Sequence, residues 1–167
     1  MNNIADELKI YELSLIYKEA EYNFAFWDKF DKNFNWDDEY KKALTAVLKT
    51  NNTYDYYLQL MKFISLLKDG HTSISFPDYI MQSEEYSAKL PISIEYIDGN
   101  YVITNVKTIV TQPIKRFSII KKINGIDIKK YIKDNIYPYI YHEKEDSCAY
   151  EVINFIRNGK INEAVEL

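Results

Sequence analysis

Cysteine, glycine, proline and histidine are all scarce in this chain of 167 residues, and each scarcity excludes something. A lone cysteine, Cys148, rules out an internal disulfide and leaves the redox compartment open. The four glycines (Gly70, Gly99, Gly125 and Gly159) stand far apart, each at an expected turn or helix end, so no glycine-rich loop is available for chemistry. The two histidines, His71 and His142, lie 71 positions apart without a regular ligand spacing, which is weak ground for zinc. A basic surplus is also missing. The formal net charge is −4 and the pI about 5.3, which argues against a nucleic-acid surface. Lys115-Arg116 and Lys121-Lys122 are short basic runs beside apolar residues and read as a solvated strand face. No apolar run approaches the length of a membrane span. Met1 to Asp6 lack the basic and apolar regions of a signal peptide; an exported form would carry its signal outside this chain, and the compartment stays open.

The composition that remains is globular, 47% hydrophobic and 28% charged, enough for one ordinary domain or two small ones. Sixteen tyrosines predict a core with wet, half-buried edges, because each buried ring carries a hydroxyl that needs a partner. The first helix is expected from about Asp6 to Trp27. Ile10, Leu13, Tyr17, Ala20, Phe24 and Trp27 recur at steps of three and four on one face. Leu8, Leu15, Tyr22 and Phe26 widen that surface and predict more than one packing neighbour. Asn35 is placed to cap a second helix, with Asp38 at the reciprocal capping-box position and Trp36, Tyr40, Ala43 and Val47 on its buried face. A third helix starts near Thr53, buries Tyr57, Leu60, Ile64 and Leu67, and stops at Gly70, read as a C′ glycine of positive φ. Three such helices with short connections make a small helical unit.

After His71 the period changes from helical to alternating. Ile74 and Phe76 alternate with Ser73 and Ser75, so Thr72 to Phe76 reads as a short strand stopped by Pro77. Residues 78–90 show no clear period and read as a linker. Ile92–Ile97 and Tyr101–Val106 then flank Asp98-Gly99, a pair suited to a two-residue hairpin turn. Phe117–Ile123 and Ile126–Ile128 repeat the device around Asn124-Gly125. Short helices follow at Lys129–Tyr137 and Asp146–Arg157, and Val165-Glu166-Leu167 looks like a strand just beginning. The fold class is α+β, a three-helix unit followed by a small β module with short helices.

His71 has two readings on local physics: an imidazole fixed just beyond a rigid helix end, or a structural histidine whose protonated form suits the helix dipole. Leu15-Ile16-Tyr17-Lys18-Glu19-Ala20-Glu21-Tyr22-Asn23-Phe24-Ala25-Phe26, the Trp36-Asp37 helix start and Leu66-Leu67-Lys68-Asp69-Gly70-His71-Thr72 together resemble the tail-specific, or C-terminal processing, serine peptidase family, particularly its tricorn-core-like branch. Tyr96-Ile97-Asp98-Gly99 and Ile123-Asn124-Gly125-Ile126 are similar to the family's PDZ-like domain. Pro138-Tyr139-Ile140 and Val165-Glu166-Leu167 resemble the stretch leading into its protease core. The resemblance implies a helical domain over 1–82, a PDZ-like domain over 83–142, and a segment 143–167 leading into a core that lies outside this chain. It also implies that His71 is a general base that activates a serine supplied by a later domain, since a hydroxyl is a weak nucleophile until a base accepts its proton. The implied partners are a polypeptide substrate or protein and the missing protease core; no cofactor is implied.

Two departures matter. No serine lies among small residues on a strand-to-helix turn, and Ser147, beside Cys148, lacks glycine neighbours, so these 167 residues alone are expected to be catalytically silent. The stretch Gln112-Pro113-Ile114-Lys115-Arg116-Phe117 also lacks the family's glycine before the second hairpin, which puts carboxylate capture by a PDZ-like groove in doubt while leaving strand addition possible. The rival function is a non-catalytic PDZ-like peptide- or protein-binding module in which His71 is structural. A metal site from His142, Glu143, Glu145 and Asp146 is weighed against a solvated acidic loop, and the loop is favoured.

Overall fold

The computed structural model describes residues 3–107, 114–141, 144–161 and 163–167. The N-terminal half is three helices, α1 (Asp6–Asn23), α2 (Trp36–Leu48) and α3 (Thr53–Ser65). Their starts follow local chemistry. The Asn35 side chain accepts from Asp38 N–H at 3.0 Å and the Asn52 side chain accepts from Asp55 N–H at 2.8 Å, each satisfying an amide that the first helical turn leaves orphaned. The reciprocal half of the box at α2 does not form, because the Asp38 carboxylate accepts instead from Lys41 Nζ at 3.0 Å.

Leu13, Ala20, Trp36, Val47, Tyr56, Leu60, Phe63, Ile64 and Leu67 make the core of this unit. Trp36 is its centre: its ring stacks on Phe63 with centroids 4.3 Å apart, and its indole N–H donates to the Tyr17 carbonyl at 3.2 Å. The first helix ends four residues earlier than the pattern suggests. Beyond Asn23, Phe24, Trp27, Phe30 and Phe34 gather with Trp36 in a cluster of ring contacts, which a continued helix could not place on one side. The expected second neighbour of α1 is also missing among the described residues. Leu8, Leu15, Tyr22 and Phe26 all remain exposed.

α3 is followed by a turn and then a run of alternating burial. Here the structure corrects the sequence twice. The residue that takes positive φ after the helix is Lys68, at +53°, not Gly70. Thr72 to Phe76 alternates in burial as expected, but it is assigned no strand and none pairs with it among the described residues. A one-turn helix, α4 (Asp78–Met81), sits where a linker was expected and buries Ile80.

The C-terminal half holds β1 (Ala88–Lys89), β2 (Ile92–Ile97), β3 (Asn100–Val106), β4 (Lys122–Ile123), β5 (Ile126–Asp127), α5 (Ile128–Asn135), α6 (Glu145–Arg157) and β6 (Asn158–Gly159). β2 and β3 pair antiparallel, with a register shift between Ser93 and Ile94. Asp98 and Gly99 both take positive φ, +47° and +75°, as a hairpin turn of this kind requires. Asn124 and Gly125 repeat that geometry between β4 and β5. The expected strand Phe117–Ile123 is only partly realised: Ile119 bridges to Val102, and just Lys122 and Ile123 enter a ladder. β1 pairs antiparallel with β6.

A second cluster of buried residues forms here, from Ile92, Ile94, Tyr101, Ile103, Ile120, Ile123, Ile128, Ile132, Ile136, Cys148, Val152 and Ile156. α6 therefore lays its apolar stripe on the hairpin and on α5. Val165 to Leu167 forms no strand; Glu166 instead docks on the second turn, accepting from Asn124 N–H and donating its own N–H to the Asn124 side chain, both at 2.9 Å. The two halves meet where Ser65 Oγ donates to the Pro138 carbonyl at 3.0 Å and where Tyr54 stacks on Tyr86.

Candidate functional site

Several separate segments, three of them described next, enclose an open cleft of about 1350 Å³. One wall is the run from Lys68 to Phe76, a second is the aromatic group Phe24, Phe26 and Phe30, and the third comes from Tyr139 and the Ser147, Glu151 and Phe155 side of α6. His71 lies on its rim, exposed, and its ring makes no hydrogen bond or ion pair with the described residues.

The backbone beneath His71 is held firmly. Lys68 supplies the left-handed turn, Thr72 N–H donates to the Asp69 carbonyl at 3.3 Å, and Thr72 Oγ1 donates to the Asp69 carboxylate at 2.6 Å. Thr72 is thus engaged with Asp69 and does not hold the imidazole. The anchor continues at Ile74, which packs on the helical core, and at Phe76, which stacks on Tyr54 at 4.6 Å and 8°. Tyr54 is sandwiched between Phe76 and Tyr86, and burial pushes its hydroxyl up to about 12. That phenol stays protonated at physiological pH and can only donate or accept a hydrogen bond there.

Ser147 lines the same cleft, but its hydroxyl donates to the Lys144 carbonyl at 2.7 Å as part of the start of α6. The neighbouring Cys148 thiol is raised, first by burial and next by the charge of Glu151, so it is not a thiolate nucleophile. Neither side chain hydrogen-bonds to His71. Of the acidic loop weighed as a metal site, His142 and Glu143 lie outside the described residues. Glu145 accepts from the Tyr96 hydroxyl at 3.0 Å, and no group of three His, Cys, Asp or Glu gathers among the described residues.

Sequence reasoning missed the cleft's aromatic walls and, away from the cleft, a buried lysine. Among the cleft's aromatic residues, Phe24 reads in the sequence as an ordinary core position of the first helical stripe. Lys9, fully buried on α1, donates to the Thr50 carbonyl at 2.9 Å and to Asp6 at 3.2 Å. Its place in the stripe with Leu13 and Ala20 was the available signal.

No family model matches the sequence, and no curated protein matches it. Among solved structures the chain is similar to CPAF, the chlamydial protease-like activity factor, a serine protease. Mature CPAF superposes with a TM-score of 0.67 at 15% identity, over 92% of this chain and 28% of that one. Mature CPAF complexed with lactacystin gives 0.68 at 14%, over 93% and 29%, and a CPAF point mutant gives 0.65 at 15%, over 92% and 28%. The chain therefore spans less than a third of the length of these proteins. At such identity the likeness establishes the fold alone, and it does not single out the tricorn-core-like branch.

Proposed function

We propose that these residues are the N-terminal helical and PDZ-like part of a tail-specific-type serine peptidase, positioning a polypeptide substrate and supplying His71 as the general base. The observation that carries the reading is the likeness of 92–93% of the chain to CPAF structures. Three features support it. The His71 ring is exposed beside a cleft and makes no hydrogen bond or ion pair among the described residues, as suits a base serving a nucleophile from outside the chain. Its backbone is fixed on both sides, which suits a group whose position decides the rate. The Ser147 hydroxyl, which lines the same cleft, is committed to a helix start through its bond to the Lys144 carbonyl. In this reading the hairpin module takes the role of the PDZ-like domain over 83–142, and 143–167 leads toward the protease core.

The test uses the full-length protein. His71→Ala should lower turnover of an unfolded protein substrate by about 10²–10⁴-fold, the usual worth of a general base. The same change in the 167-residue chain should leave its melting temperature unmoved, since the ring is exposed and unbonded, and that chain alone should cleave nothing. Normal turnover in the variant removes the base role and favours the non-catalytic binding module.

A further inference from the structure

The run after His71 alternates in burial as a strand does and has no strand beside it among the described residues. Thr72, Ile74 and Phe76 are half-buried, while Ser73 and Ser75 between them are exposed. Three side chains pin it to the helical unit: Thr72 through Asp69, Ile74 through the apolar core, and Phe76 through Tyr54. Yet the backbone N–H and carbonyl groups of Ser73, Ile74, Ser75 and Phe76 take part in no hydrogen bond among the described residues. A run of this kind with free main-chain donors and acceptors is a template for another strand. Pro77 limits it to one short ladder. This run also lines the cleft directly after His71.

We infer that Ser73–Phe76 is an edge strand that pairs with a strand from the part of the protein outside residues 1–167, and that this pairing completes the hold on the His71 backbone that Asp69, Ile74 and Phe76 begin. The inference rests on the peptidase reading above. The occupant follows from three considerations. More than two thirds of the length of the CPAF structures lies outside the region this chain matches, so most of such a protein is available to supply a strand. A second copy is disfavoured, because a four-residue ladder falls far short of the roughly 1,200–2,000 Å² that a stable interface buries. A transient substrate strand is disfavoured too, because a base that must stay within hydrogen-bond reach of its nucleophile needs permanent support rather than support that arrives with each turnover. The edge is ordered in advance by its side chains, which lowers the entropy lost when the partner docks.

Amide hydrogen exchange read by mass spectrometry on the 167-residue chain and on the full-length protein tests the pairing. The amides of Ser73–Phe76 should exchange near the free-peptide rate in the former and on the order of 100-fold more slowly in the latter. Ser75→Pro removes a donor and should leave the melting temperature of the 167-residue chain unchanged, because nothing pairs there. In the full-length protein it should lower kcat by about 100-fold, the scale of a small misplacement of a catalytic group, with little change in KM. Ser75→Ala, which keeps the amide, should retain activity, and Ser73→Pro serves as a second donor deletion should Ser75→Pro fail to fold. Fast exchange at these amides in the full-length protein overturns the inference, even if His71→Ala proves inactive and the base role stands. Protection that appears only on adding substrate peptide, or only at concentrations where the chain dimerises, overturns it as well by naming a different occupant.

Discussion

Replacing Lys9 with methionine tests how the helical unit is locked together. Lys9 is fully buried, and its ammonium donates to the Thr50 carbonyl at 2.9 Å, a residue just past the end of α2, and to Asp6 at 3.2 Å. That places a cation on a helix C-terminal carbonyl, where the dipole favours positive charge. Lys9→Met keeps the stem and deletes the donor. The Thr50 carbonyl is then buried without its partner, a loss of about 1–3 kcal/mol. Relief of the desolvation that the ammonium suffers offsets part of this, so a net loss of about 1–2 kcal/mol is expected, or roughly 2–8 °C in melting temperature for a chain of this size. Lys9→Ala loses the packed stem as well and leaves a void, which adds about 2 kcal/mol. Urea unfolding followed by the fluorescence of Trp27 and Trp36, both in this unit, reads the difference. If Lys9→Met is as stable as the parent, the lysine acts only through its stem, and the polar lock between α1 and α2 is wrong.

Two further outcomes follow from the backbone and the tyrosines. Gly99→Ala should destabilise by about 1–2 kcal/mol because residue 99 sits at φ +75°, whereas Gly70→Ala, with open space around it and no positive φ, should be neutral or stabilise by up to about 1 kcal/mol; equal effects in paired thermal melts would restore Gly70 as a helix-terminating glycine. Burial pushes Tyr54 and Tyr57 up to about 12, so the folded state holds protons that the unfolded chain releases near pH 10, and stability should fall as pH rises from about 10 to 12. Tyrosinate absorbance should rise later in the native protein than in urea, and coincident titrations would refute the burial of these phenols.

Local chemistry was readable from the sequence; partnership at a distance was not. Asn35 and Asn52 cap their helices through side-chain oxygens three residues from the amides they satisfy, and Asp98-Gly99 and Asn124-Gly125 make turns that only residues tolerant of positive φ make cheaply. Each feature is decided within four residues. Gly70 was misjudged by the same local rule, because α3 ends at Ser65 and the reversal is complete at Lys68 before the glycine arrives. Phe24 to Trp27 fitted the helical stripe, yet their rings gain more by folding over Trp36 than by extending α1. The alternation of Thr72 to Phe76 correctly gave its two faces, but a strand also needs a neighbour, and no residue of that segment encodes one. His71 as a candidate came from motif resemblance, whereas the cleft beside it is assembled from segments more than a hundred residues apart.

The anchoring of His71 has a consequence for the proposed chemistry. Its backbone is anchored through Lys68, Asp69, Ile74 and Phe76, whereas its ring is exposed and makes no hydrogen bond among the described residues. A triad base needs a third group to select the tautomer and hold the ring. Thr72 is the neighbour best placed in sequence to do so, and it is already bonded to Asp69. On the proposed base role, the orienting group would come from outside the described residues, together with the nucleophile. The side-chain freedom still to be lost then falls at the moment that outside partner docks, when the same contact can order the ring and present the serine. On that proposal, a base left in this half-finished state would be inert toward solvent-exposed hydroxyls, because proximity without alignment supplies little of the rate.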